Sequence, residues 1–189
     1  GARARGDRVT DEVWAAANAN SGNLPLVKAV LVAGLYPNLV RVDPPSKPKA
    51  PPQFRYLTEE GKEDRMQLHP SSISFEAKSF PTRWLVYHER VQTTAVFMRD
   101  CTPVSPYQLL LFGGTINVQH STGTVSLDRW ATFKSPPKVA VLFREVRASL
   151  DKVLQDKVSQ PHKSVQELGG TVVTAILQLL QTEPRAKGV

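Results

Sequence analysis

The stretch FPTRWLVYHERVQTTAVFMRDCTPVSPYQLLLFGG, residues Phe80 to Gly114, decides the fold of this 189-residue chain. It is rich in the β-branched and aromatic residues that strands favour, and it predicts one strand over Arg83–Val91 and a second over Thr93–Cys101. Tyrosine, histidine, glutamate and arginine residues are threaded between the apolar ones. The two strands therefore present an active site, a nucleic-acid surface or the ordinary outer face of a sheet.

The segments upstream of this stretch are short. A capped helix is predicted over Thr10–Ala19 and another over Leu26–Ala33. LYPNLVRVD, QFRYLT and RMQLHPSSISF then have the composition of strands. The five prolines of DPPSKPKAPPQ, Asp43–Gln53, prevent that segment from pairing in a central strand, so we expect an exposed loop there.

Downstream, SPYQLLLFGG fits a short helix or a strand equally well, and TINVQHSTGTVSLDRW alternates as a hairpin does. Apolar positions at helical spacing predict a long helix over Pro137–Val158, with a stripe wide enough to dock on a barrel of the predicted strands, and a last helix from about Gly170 to Thr182. This order of elements predicts a β fold with α: a small antiparallel barrel or curled sheet flanked by N-terminal and C-terminal helices.

Composition narrows the class of protein. With 41% hydrophobic and 22% charged residues the chain is an ordinary globular one, and its net charge of +7 favours a polyanionic partner or an inert basic surface. A single cysteine excludes an intrachain disulfide and favours a reducing compartment. No apolar run is long enough to cross a membrane, and GARARGDRV lacks the hydrophobic segment of a signal peptide, so we expect no membrane partner. Because no Met begins the chain, we expect a piece of a longer protein.

The sequence contains no recognisable catalytic or metal-binding constellation. Gly113 and Gly114 are not followed by the lysine and hydroxyl residue of a phosphate-binding loop. The four histidines are scattered singly, and Cys101 lies in an apolar strand as a small buried hydrophobe. We therefore expect no catalytic residue, no metal and no cofactor within this chain.

The predicted strands do carry groups that suit a single-stranded nucleic acid. Aromatic rings stack on bases, while hydroxyl and guanidinium groups contact phosphates. The candidate contact residues are His69, Ser71, Ser72, Tyr87, Arg90, Thr93, Thr94 and Arg99. On the pattern alone an ordinary sheet surface, with Arg99 paired to Glu89 or Asp100, explains them at least as well.

Several motifs in one order resemble the C-terminal region of DEAH/RHA-type RNA helicases, in the RNA helicase A-type branch. They are KAVLVAGLYPN (Lys28–Asn38), HPSS (His69–Ser72), WLVYHERVQTTAVFMRDCTPVSP, LLLFGG (Leu109–Gly114), INVQH, and LDRWATFKSPPKVAVLFREVRASLDKVLQDKVSQP. The resemblance implies an oligonucleotide-binding-like (OB-like) barrel over residues 35–135 with a Pro-rich loop at 43–53. It also implies the end of a ratchet-like helical domain at 1–34, a helical cap at 136–183 and a tail at 184–189. The length of the Pro-rich segment departs from the family.

The resemblance also implies function. A longer parent would use ATP and Mg²⁺, bound outside this chain, to translocate on RNA. This domain would line the RNA channel, pack on the rest of the helicase core and contact single-stranded or structured RNA through the eight residues named above. An activator protein or the ribosome is a further implied partner, in cytoplasm, nucleus or mitochondrion. The alternative is a module that docks a protein partner without touching RNA.

Overall fold

The structure is a computed structural model that describes residues 10–45 and 50–183. The arginine-rich start, the centre of the Pro-rich loop and the tail at 184–189 lie outside the described residues. Both predicted N-terminal helices are present, as α1 (Asp11–Asn18), capped by the Thr10 side chain, and α2 (Leu24–Leu35).

Five strands close a barrel in the order β1-β2-β3-β5-β4. They are β1 (Leu39–Asp43), β2 (Gln53–Leu57), β3 (Glu63–Leu68), β4 (Trp84–Gln92) and β5 (Val96–Val104). Four of the five pairings are antiparallel, and the β3–β5 pairing that completes the ring is parallel. The predicted barrel is thus confirmed, with one parallel seam that strand patterns alone do not reveal.

The barrel has an apolar interior because side chains alternate along each strand. Val40, Phe54, Met66, Leu85 and Met98, one from each strand, belong to this interior cluster. The alternate residues on β4 and β5 face outward. Where they are apolar, as at Trp84, Val86 and Val104, they join a second core with the helices.

The segment that the sequence left open is a helix, α3 (Pro106–Phe112). Ser105 caps it, and the Gln108 side chain accepts a hydrogen bond from the Ser105 N–H at 2.9 Å, which completes a capping box. Proline at the first helical position needs no hydrogen-bond partner for its nitrogen. Local capping therefore favours the helix over a sixth barrel strand.

A second, three-stranded sheet follows the barrel and is separate from it: β6 (Ile116–Gln119), β7 (Thr124–Leu127) and β8 (Ala131–Lys134). The predicted hairpin is β6–β7. Two helices complete the described chain, α4 (Pro137–Ser159) and α5 (Val165–Gln181).

The packing of α4 differs from the expectation. Its closest neighbours are α5, α3, β6 and β7, while α2 covers the apolar outer flank of β4 and β5. Phe143, Leu150 and Val153 are buried, but Leu142 and Val158 are 62% and 83% exposed. The apolar stripe read from the sequence is therefore wider than the surface that α4 buries.

Candidate nucleic-acid interface

The β4–β5 hairpin, including its turn, carries five of the eight candidate residues, and its register separates Arg90 and Arg99 onto two faces. Glu89 is paired directly with Arg99, and Arg90 is paired with Met98. Directly opposed residues share a face of the sheet. Since Met98 belongs to the barrel interior, Arg90 lies on the side of the barrel mouth and Arg99 on the opposite, outer side.

The outer side holds a small polar cluster around His69. The Arg99 guanidinium lies 3.1 Å from His69 Nε2 and 3.2 Å from a Glu89 oxygen. The Ser71 hydroxyl lies 2.7 Å from His69 Nδ1. The ion pair between Arg99 and Glu89 that the sequence offered as an alternative is thus present, and it partly neutralises the positive charge of this cluster.

Two candidates are buried. Ser72 is 8% exposed, and its N–H donates to the His69 carbonyl at 2.8 Å within the loop. Tyr87 is 5% exposed and packs in the barrel interior. Neither side chain lies on the open surface, because Tyr87 pairs with Cys101 on the inner face of the hairpin and the loop folds Ser72 inward. The sequence-based expectation that the Tyr87 ring offers an exposed stacking surface has to be corrected.

The remaining candidates are accessible. Arg90, Thr93 and Thr94 are exposed, and the two threonines occupy the turn of the hairpin, where the Thr93 N–H donates to the Ala95 carbonyl at 3.0 Å. The Arg90 guanidinium lies over the Tyr56 ring, 5.6 Å from its centroid, which holds the cation at the barrel mouth.

Residues that sequence reasoning missed surround Arg90. Tyr36, Asn38 and Trp130 line the same cavity as Tyr87 and Arg90, although they come from two other, distant segments of the chain. The Tyr36 hydroxyl donates to Asp128, and burial together with this carboxylate raises the pKa of Tyr36. No local sequence pattern predicts that these residues meet, because only the packing of the second sheet against the barrel brings Trp130 to this cavity.

An arginine row crosses the outer face of β1, β2 and β3. Arg41 pairs directly with Arg55, and Arg55 pairs with Arg65. The Asp43 carboxylate lies 3.0 Å from the Nε atoms of both Arg41 and Arg55, and a Glu63 oxygen lies 2.7 Å from the Arg41 guanidinium. Burial opposes ionisation of Asp43, but hydrogen bonds and charge from Arg41 and Arg55 outweigh it and lower the pKa of this carboxyl.

The described residues contain no group of three or more histidine, cysteine or acidic side chains placed to hold a metal ion. Over the same residues, no helix is long and apolar enough to span a membrane. Burial raises the pKa of the Cys101 thiol, which leaves it a poor nucleophile at neutral pH.

Two protein families match this chain. Residues 27–116 match the oligonucleotide/oligosaccharide-binding (OB)-fold family, and residues 123–182 match the family described as the C-terminal domain in RNA helicases. The first match covers most of α2, the barrel and α3, and the second covers β7, β8 and the two C-terminal helices.

Curated relatives are similar over most of the chain. The ATP-dependent DNA/RNA helicase DHX36 of Bos taurus is 36% identical over 175 residues, which is 89% of this chain and 17% of the relative. The ATP-dependent RNA helicase DHX29 of Mus musculus is 34% identical over 85% of this chain and 11% of the relative. The chloroplastic DExH-box ATP-dependent RNA helicase DExH4 of Arabidopsis thaliana is 39% identical over 74% of this chain and 10% of the relative. The chain thus spans less than a fifth of the length of these relatives.

Proposed function

We propose that this chain, which belongs to the RNA helicases that carry this OB-fold and C-terminal domain, is an auxiliary RNA-binding domain of such an enzyme. In this proposal it lines the RNA channel and contacts the backbone of single-stranded RNA, which supports unwinding or remodelling. The observation that carries the proposal is the exposed end of the β4–β5 hairpin, where Arg90, Thr93 and Thr94 lie together.

The chemistry of this surface suits a polynucleotide backbone. Arg90 has no salt bridge to a described residue and is free to pair with a phosphate, releasing a counterion. The hydroxyls of Thr93, Thr94 and Ser71 can donate to phosphate or sugar oxygens, which positions RNA without reading its sequence. His69 and Arg99 extend the surface on the outer side, although Glu89 weakens their charge.

The catalytic work belongs elsewhere in this proposal. Three relatives named above are ATP-dependent helicases many times longer than this chain. A longer parent would bind ATP and Mg²⁺ in its other domains, and this domain would pack on that helicase core. ATP and RNA as substrates place the activity inside the cell.

A second candidate function is a protein-docking module, for an activator or a ribosomal protein, without RNA contact. The observation that favours it is an apolar surface on α1 and α2, where Trp14, Leu24 and Val30 are 64%, 64% and 60% exposed. Surfaces of this kind mark protein interfaces.

Fluorescence anisotropy with a labelled single-stranded RNA discriminates between the two candidates. We expect the 189-residue chain to bind, with an affinity that falls as salt rises. The double variant Arg90→Ala, Thr93→Ala should bind about 5- to 30-fold more weakly and show a salt slope smaller by about one.

The matched control is Arg144→Ala, Thr174→Ala, which removes the same groups from exposed positions on α4 and α5. Equal affinity of the two double variants would contradict the hairpin surface. A chain that shows no salt-dependent RNA binding at all would favour the protein-docking candidate.

A further inference from the structure

A cavity of about 280 Å³ lies where the barrel mouth meets the second sheet. The start of β1, the turn after β2, the middle of β4 and the β7–β8 turn all border it. Its size falls just below the range of about 300–1,000 Å³ found for small-molecule pockets, so it suits one compact ring system. The residues that matter here are Tyr36, Asn38, Glu59, Tyr87, Arg90 and Trp130.

Two polar groups of this cavity make no hydrogen bond to a described residue. The Tyr87 hydroxyl belongs to a residue that is 5% exposed, yet it makes no hydrogen bond to any described residue. The Asn38 side-chain amide also lacks a described partner, although the Asn38 backbone bonds to Leu35 and Tyr87. Both groups are open to the cavity rather than enclosed by protein, so they are available to hydrogen-bond a polar guest.

The walls are aromatic and fixed in place. The Trp130 indole N–H donates to a Glu63 oxygen at 2.9 Å, and its ring packs edge-on against Trp84 at 5.4 Å. The Tyr36 hydroxyl is held by Asp128. Asp128 and Arg129, at φ 47° and 62°, form the tight left-handed turn that brings Trp130 to the barrel. These contacts set the rings before any ligand arrives.

We propose that this cavity receives a single nucleobase of the bound RNA, turned out of the chain, with the adjoining phosphate at Arg90. This proposal rests on the proposed function, because Arg90 belongs to both surfaces. The base lies against the faces of Tyr36 and Trp130, and its polar edge meets the Asn38 amide and the Tyr87 hydroxyl.

A base fits these observations better than other small guests. The Asn38 amide both donates and accepts, and a tyrosine hydroxyl does the same, which matches the mixed donors and acceptors of a base edge. Aromatic walls stack on the flat π-face of a base, and a free phosphate has no such face. Arg90 is the cation at the cavity rim, and the carboxylates of Glu59 and Asp128 make the interior unsuited to an anion.

The first test compares an RNA of about ten nucleotides with an abasic chain of the same length, within the site size of an OB fold. Both RNAs carry the same phosphates, so the difference between their affinities measures the contribution of contacts to the bases. We expect the intact RNA to bind the 189-residue chain about fivefold or more tightly than the abasic one. In Tyr87→Phe and Asn38→Ala this ratio should fall toward one, by about two- to fivefold, since each removes one hydrogen-bonding group.

Tyr87→Phe keeps the buried ring and hence the barrel packing, so its effect does not depend on the folding of Asn38→Ala. The control Gln67→Ala removes an exposed amide on β3, outside the cavity, and should leave the ratio unchanged. An unchanged ratio in both cavity variants would overturn the base site. Salt-dependent binding of the abasic chain would then still support the backbone contacts of the proposed function.

A second test is independent of RNA binding. Each of the four ribonucleoside monophosphates, and ribose 5-phosphate, is titrated against the chain while proton–nitrogen NMR follows the Trp130 indole. At least one nucleotide should shift this signal at millimolar concentration in the wild type and less in Tyr87→Phe, while ribose 5-phosphate should not. A response to ribose 5-phosphate equal to that of the nucleotides, or none to any nucleotide, would refute the base site whatever the RNA result.

Discussion

Replacing Asp43 by asparagine should destabilise the barrel measurably. Asp43 accepts from Arg41 and Arg55 at 3.0 Å and lies 3.4 Å from Arg83, and its own side chain is 22% exposed. Asparagine keeps the size but not the charge. Arg41 retains Glu63 at 2.7 Å, so the loss falls mainly on Arg55 and Arg83, whose side chains are 34% and 56% exposed.

The magnitude follows from that exposure. Exposed ion pairs are worth about 0.2–1 kcal/mol each, and a carboxylate held by several donors is worth more, so we expect a cost of about 1–2 kcal/mol. For a chain of this size that lowers the melting temperature by about 2–8 °C. Thermal unfolding followed by circular dichroism at neutral pH measures the shift.

The effect should also depend on pH. Arg41 and Arg55 lower the pKa of folded Asp43, so its contribution is present above the unfolded value of about 3.9 and is lost as pH falls through the folded pKa. Wild type and variant should therefore converge at strongly acidic pH.

The control for Asp43→Asn is Glu60→Gln, because Glu60 and Lys62 form a pair at 3.1 Å with side chains 76% and 78% exposed. That variant should stay within about 0.5 kcal/mol of wild type. Equal melting temperatures for Asp43→Asn and Glu60→Gln, or a difference that persists undiminished in acid, would refute the reasoning.

Two further predictions concern the C-terminal helices. Leu150→Ala should lower the free energy of unfolding by about 2–5 kcal/mol, because Leu150 is 7% exposed. Leu154→Ala should cost less than about 1 kcal/mol, because Leu154 is 51% exposed. Urea unfolding measures both variants, and equal costs would contradict the packing of α4. Gly169→Ala should destabilise the folded chain by about 1–3 kcal/mol, because its Cβ would lie 2.2 Å from the Val153 Cγ2 atom. The control Gly34→Ala meets no atom within 4 Å and should be neutral or stabilising. A Gly169→Ala variant as stable as wild type would show that α4 and α5 are not this close.

Local sequence accounts well for the elements of the fold. Alternation and residue type predicted the β4–β5 hairpin, and the Thr10 cap and apolar spacing predicted α1 and α4. Such features are local, because capping and periodicity involve residues within a few positions of each other. The order of motifs also predicted the family that the comparisons then showed.

The candidate site was less predictable. Six of the eight candidate residues are at least partly accessible, while Tyr87 and Ser72 are buried. Strand composition does not show which residues face inward where the two-residue alternation is broken. Met98 and Cys101 both pack on the barrel interior although they are three positions apart, and Asp100 between them adopts a φ of 51°. The RNA contacts of the accessible residues stay a prediction.

The sequence by itself determined most of the elements and their order, and it predicted the family, since these depend on propensities and motifs carried by neighbouring residues. Only the tertiary structure decided that β3 and β5 close the barrel in parallel, that Arg90 and Arg99 lie on opposite sides of the hairpin, and that Trp130 meets Asn38 and Tyr87 around one cavity. These features arise from contacts between residues far apart in the chain, whose closure no local pattern encodes.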